Sequence, residues 1–243
     1  MTSTKKPRIS IIGCGWLGKP LFQTLFKQYE VFCSTRQKEE SSFENYCYNP
    51  PQSSSFWDCD YAIVAISTKD NYLETLKQIA AYVNSEAVVI LLSSISVYRE
   101  YDGEVDEETP ITQTGKQYEA EILMQRLRKK LIVLRLGGLM GEDRISGKWS
   151  KVSTFEDGPV NYVHRDDVIG IIQKILLKKT SSGIFNVVAP QHPLRSAIHR
   201  SNAEKFGFKP GRFEGMTRRK ILSKKVVEYL KYEFIYPDPL RFW

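Results

Sequence analysis

The chain has 243 residues, 42% of them hydrophobic and 26% charged, an ordinary globular mixture that excludes disordered and fibrous architectures. No apolar run approaches the ~20 residues of a membrane span, so a soluble protein without membrane partners is expected. Thirty-five Lys and Arg against 28 Asp and Glu give a net charge of +7, which suits an anionic ligand without implying nucleic acid.

The basic N-terminus before an apolar stretch loosely imitates a secretory signal, but Gly13, Gly15 and Gly18 break that stretch. Cys14, Cys33, Cys47 and Cys59 show neither CxxC nor metal-ligand spacing. Four reduced thiols, a cytoplasmic location and no metal site are expected.

Residues 8–12 form a β-branched strand run, and Leu17, Leu21 and Leu25 then line one helical face. Residues 30–34 read as a second strand. The polar stretch 38–56, with Pro50-Pro51 and three consecutive serines, is expected to be loop with little regular structure. Strands follow at 61–67, 87–92 and 131–136, separated by a helical pattern from Tyr72 to Val83 and a long charged helix at 114–130. Apolar strands without polar alternation, spaced by amphipathic helices, predict a Rossmann-type doubly wound α/β sheet.

Beyond Gly141 the pattern loosens. Short strands are expected at 160–163 and 184–188, with helices at 165–177, 194–206 and 217–231. This predicts a dinucleotide-binding domain over 1–142 and a smaller substrate lobe over 143–243, with about 160–190 returning to the sheet. A cleft is expected between the two.

Gly13-Cys14-Gly15-Trp16-Leu17-Gly18 is a GxGxxG between a strand and a helix at the start of a βαβ unit. In that setting the glycines allow a tight turn, close approach of a pyrophosphate and close helix–strand packing, while the helix N-terminus attracts phosphate. Gly13, Gly15, Trp16, Leu17 and Gly18 are therefore candidate dinucleotide ligands, bordered by Ala65, Ile66 and Ser67. A glycine turn that binds nothing is the plainer alternative.

The residues after the second strand set the choice of dinucleotide. Cys33-Ser34-Thr35-Arg36 has no acid before Glu39. Ser34, Thr35 and Arg36 suit a 2′-phosphate, so NADP(H) is expected ahead of NAD(H).

Ser93-Ser94-Ile95-Ser96-Val97-Tyr98 and Val105-Asp106-Glu107-Glu108-Thr109-Pro110 resemble segments of the extended short-chain dehydrogenase/reductases, which include nucleotide-sugar epimerases and dehydratases. So do the stretches from Leu134 to Gly141, Val160 to Val168 and Gly183 to Val188. The glycine spacing is similar to the family's atypical branch. The resemblance implies an NADP(H)-dependent oxidoreductase or epimerase/dehydratase-like enzyme acting on a small anionic substrate, and a homodimer through the long helices.

Family members catalyse with a YxxxK pair on one helix face. Aligned on Pro110, this chain has Thr114 and Tyr118 at those positions. Threonine is a poor proton donor or acceptor near neutrality. Ser94 matches the family's catalytic hydroxyl, and Tyr98 is the nearest replacement acid, with a packed aromatic as its alternative. His164, Arg144 and Lys148 are candidate substrate contacts; a structural loop histidine is the alternative for His164. The basic run Arg218-Arg219-Lys220 reads as a solvated helix face or as the border of a phosphate site. Loss of the Tyr/Lys pair also suits a non-catalytic NADP(H) sensor or pseudoenzyme.

Overall fold

A computed structural model describes residues 6–38, 40, 44–69, 71–112, 114–148 and 153–243. In chain order the first elements are β1 (Arg8–Ile12), α1 (Gly18–Leu25), β2 (Glu30–Thr35), β3 (Tyr46–Tyr48), β4 (Tyr61–Val64), α2 (Tyr72–Tyr82), β5 (Val88–Ser94), β6 (Glu104–Val105), α3 (Lys116–Leu127) and β7 (Leu131–Leu136). There follow β8 (Gly138–Met140), β9 (Thr154–Asp157), β10 (Tyr162–His164), α4 (Arg165–Lys178), β11 (Gly183–Val187), α5 (Arg195–Phe206), β12 (Arg212–Met216), β13 (Lys220–Ile221) and α6 (Lys224–Glu228). Among the described residues no helix is long and apolar enough to cross a membrane.

A seven-stranded parallel sheet runs in the order β11-β7-β5-β4-β1-β2-β3, the doubly wound arrangement the strand patterns predict. Strands such as Ile9–Ile12 and Ile132–Leu134 are buried on both faces, which is why their sequences lack polar alternation.

Two compact units interleave along the chain. The first comprises residues 1–93, 114–134 and 179–184; the second comprises 94–113, 135–178 and 185–243. The core of the first unit gathers Phe56, Trp57, Leu76, Val89, Leu91 and Met124. In the second, Met140, Val160, Tyr162, Ala189, Ile198 and Phe242 pack together. Three small parallel ladders also belong to the second unit: β8 with β10, β9 with β12, and β6 with β13.

Three expectations need correction. Within the expected loop 38–56, Tyr46–Tyr48 adds an edge strand, pairing Cys33 with Tyr46 and Thr35 with Tyr48. Its Tyr-Cys-Tyr sequence favours extension once β2 offers an open edge. The expected helix 217–231 shrinks to α6, because Ile221 donates its N–H to the Asn161 side chain and Lys220 pairs with Glu104. Finally, Cys14 and Cys33 are joined in a disulfide. β1 and β2 lie side by side with Ile11 opposite Cys33, which brings together two cysteines 19 residues apart in sequence. Cys47 and Cys59 are thiols.

Candidate functional site

The glycine loop leaves β1 through Gly13, whose φ of +107° is a conformation side chains disfavour. A Cβ on Gly13 would lie 2.7 Å from the Ala65 carbonyl oxygen, and one on Gly18 would lie 2.1 Å from the Gly13 carbonyl oxygen. These two glycines are required by packing. Gly15 has open space where its Cβ would be. A loop built this way fits a pyrophosphate: two glycines close the turn and the third leaves the backbone approachable. The start of α1 follows at once, with Lys19 N–H donating to the Gly15 carbonyl.

β2 flanks the loop. Gly13 N–H donates to Ser34 Oγ at 3.1 Å, and Cys14 N–H to the Ser34 carbonyl at 2.8 Å. Ala65 extends β4 beside the turn by donating its N–H to the Ile12 carbonyl, and the Ile66 methyl lies 3.1 Å from the position of a Gly13 Cβ. The structure thus brings together Gly13, Gly18, Ser34, Ala65 and Ile66. Trp16 is half-buried, Leu17 is buried, and Ser67 and Arg36 are exposed.

Thr35 differs from expectation. It is buried, donates its hydroxyl proton to Glu40 Oε2 at 2.7 Å, and accepts from Gln37 N–H at 3.0 Å. Its hydroxyl is therefore committed within the turn and is not presented to a phosphate. Lys19 bonds the other oxygen of Glu40. Those two hydrogen bonds, Lys19 first, hold the Glu40 carboxyl below the usual carboxylate range. Glu39, the acid the sequence reading names, lies outside the described residues. Glu40 was missed because its distance from β2 in sequence hides the turn that folds it back.

At the end of β5, Ser93 donates its hydroxyl to Glu121 Oε1 at 2.5 Å. Glu121 is 1% exposed, in the inward stripe Ala120-Glu121-Met124 of α3. A carboxylate in the apolar stripe of a helix is the sequence signal that could have found it. Thr114 precedes α3, whose N-cap is Gly115, and Thr114 and Lys116 are both exposed.

In the second unit, Ser94 Oγ accepts from Ser96 N–H and caps the short 3₁₀ turn Ile95–Tyr98. Tyr98 is packed in the interior. It is 0% exposed, donates to Asn186 Oδ1 at 3.1 Å and accepts from Arg135 at 2.5 Å. Burial pushes its phenol up, away from any role as an acid near neutrality.

His164 is also buried. Its ring centroid stands 3.8 Å from that of Tyr236, its Nδ1 accepts from Asp166 N–H, and Gly141 closes over its Nε2. Burial lowers its pKa and keeps it neutral. Arg144 and Lys148 stay exposed.

Two other arginines, Arg195 and Arg219, belong to the second unit. Arg195 donates its N–H to the Gly158 carbonyl, and Thr217, two residues before Arg219, packs where a Gly158 Cβ would be. Arg219 donates through Nη1 to the Tyr98 carbonyl at 3.0 Å. The Nε atoms of both arginines are buried and find no hydrogen-bond partner among the described residues. The run from Arg218 to Lys220 is not a helix face, since Lys220 begins β13.

A parallel sheet with a glycine turn between its first strand and first helix defines the dinucleotide-binding class of fold. No protein-family model matches the chain. Protein YeeZ of Escherichia coli strain K12 is 27% identical, covering 96% of this chain and 97% of that one. A functionally unknown conserved protein from Silicibacter pomeroyi shares the fold with a TM-score of 0.80 at 19% identity, covering 97% and 96% of the two chains. UDP-glucuronic acid 4-epimerase from Bacillus cereus, in complex with NAD, gives 0.77 at 17% over 97% and 96%. The human epimerase family protein SDR39U1, with NADPH, gives 0.69 at 14% over 97% of each chain. The fold is that of the epimerase/dehydratase-like short-chain dehydrogenases/reductases.

Proposed function

We propose that this chain is an NADP(H)-dependent oxidoreductase or epimerase/dehydratase-like enzyme of the atypical short-chain branch, acting in the cytoplasm on a small anionic substrate. The observation that carries the reading is the glycine turn, in which Gly13 and Gly18 have no room for a side chain and Gly15 leaves the loop open. Similar structures contain NAD in three cases and NADPH in another. Gly15, Trp16 and Leu17 would hold the pyrophosphate, and the exposed Arg36 the 2′-phosphate. Bound there, a nicotinamide dinucleotide supplies hydride transfer.

Without a YxxxK pair, the proton falls to Ser93 and Glu121. The serine passes its proton to the buried carboxylate as it takes one from a substrate hydroxyl. Glu40 favours a second reading of the cofactor. A carboxylate on Thr35 suits ribose hydroxyls and repels a 2′-phosphate, as an NAD(H) site would.

The test is turnover, followed by nicotinamide absorbance with nucleotide sugars and sugar acids. Turnover that disappears in Glu121→Gln supports the reading. Turnover unchanged in both Glu121→Gln and Ser93→Ala would contradict the proton route, and dinucleotide binding without turnover on any such substrate would contradict the enzyme assignment.

A further inference from the structure

Cys14 lies inside the glycine loop, between Gly13 and Gly15, and Cys33 lies on β2 just before Ser34. Their disulfide brings the two Cα atoms to 5.5 Å. The same two segments are already tied by Gly13 N–H to Ser34 Oγ and Cys14 N–H to the Ser34 carbonyl. The covalent link therefore reinforces the hydrogen bonds that hold the loop against the strand leading to Arg36.

The other cysteines, Cys47 and Cys59, are thiols, and neither is bonded to this pair.

We propose that Cys14 and Cys33 form a redox modification site whose state sets how tightly the glycine loop holds a dinucleotide, an inference that rests on the dinucleotide-binding reading above. The oxidant is a low-molecular-weight disulfide. The Cys14 thiolate attacks one of its sulfurs, forming a mixed disulfide, and one small thiolate leaves with the electron pair. The Cys33 thiolate then attacks Cys14 Sγ, closing the internal disulfide and releasing the second small thiolate. Two electrons pass to the reagent, and the protons lost by the two cysteines are taken up by the two small thiols. A small dithiol in excess runs the exchange backwards.

The coupling to binding is steric. Two thiols cannot approach as closely as two bonded sulfurs. Cys14 and Cys33 are 7% and 0% exposed, so the parted sulfurs have to be accommodated inside the packed interior. Reduction must therefore displace the loop from Ser34, and the amides lose their fixed aim at a phosphate.

The experiment uses the full chain in two states, one treated with excess oxidised glutathione and one with dithiothreitol. Each is alkylated under denaturing conditions and weighed, and a parallel sample is titrated with NADPH and with NADH. The oxidised state should alkylate at two cysteines and the reduced state at all four. The oxidised state should bind about tenfold more tightly, a difference of ~1.4 kcal/mol. Cys33→Ala and Cys33→Ser, each checked for an unaltered fold by circular dichroism, should each show a single affinity whatever the treatment. Alkylation at four sites after oxidation would overturn the proposal. Equal affinities in the two states would overturn it while leaving the dinucleotide reading intact. Binding in neither state would overturn both.

Discussion

Ser93, at the end of β5, donates its hydroxyl to Glu121 of α3 at 2.5 Å, so a buried carboxylate already holds an alcohol of the kind a proton relay needs. If this pair moves the proton, Glu121→Gln removes the acceptor and keeps the shape. The expected loss is about 10²–10⁴-fold in kcat. Affinity for the dinucleotide should be unchanged, and steady-state kinetics beside a binding titration separate the two effects.

Gly15 and Gly18 should respond in opposite ways to alanine. A Cβ on Gly18 meets the Gly13 carbonyl at 2.1 Å, so Gly18→Ala should destabilise the fold by about 1–3 kcal/mol. A Cβ on Gly15 meets nothing within 4 Å, so Gly15→Ala should keep its melting temperature and lose dinucleotide affinity. Thermal melts and titrations of both variants test the pair.

Arg36 and Glu40 compete over cofactor choice. Arg36→Ala should weaken NADPH about tenfold, ~1.4 kcal/mol, and leave NADH nearly unchanged. Glu40→Gln should move the ratio the other way, since it removes the charge that repels a 2′-phosphate. Parallel titrations with both nucleotides read each change.

His199 gives the fold a dependence on acid. Buried with its ring edge-on to Phe155 at 4.6 Å, it has its pKa lowered from 6.5 to about 4. Between those values the unfolded chain takes up a proton that the folded chain refuses. Stability should therefore fall as the pH drops from about 6.5 towards 4, by as much as about 3 kcal/mol. Urea melts across that range should show the slope, and His199→Phe should flatten it.

The sequence made the sheet legible because its strands are uniformly apolar, and the glycine loop because Gly13 and Gly18 answer steric demands of the turn. Glu121 was hidden by the charge of α3 as a whole; only its place in the inward stripe sets it apart. Tyr98 and His164 were singled out for their chemistry, but burial turns both towards packing partners from distant parts of the chain, Asn186 for one and Tyr236 for the other. The Cys14–Cys33 link depends on strand register, which spacing does not reveal.

The most direct measurement is a titration of the purified chain with NADPH and NADH in parallel, with Trp16 in the glycine loop as fluorescent reporter. The account predicts that NADPH binds at least about tenfold more tightly than NADH. Equal affinities would contradict the role given to Arg36, and binding of neither nucleotide would contradict the dinucleotide site itself.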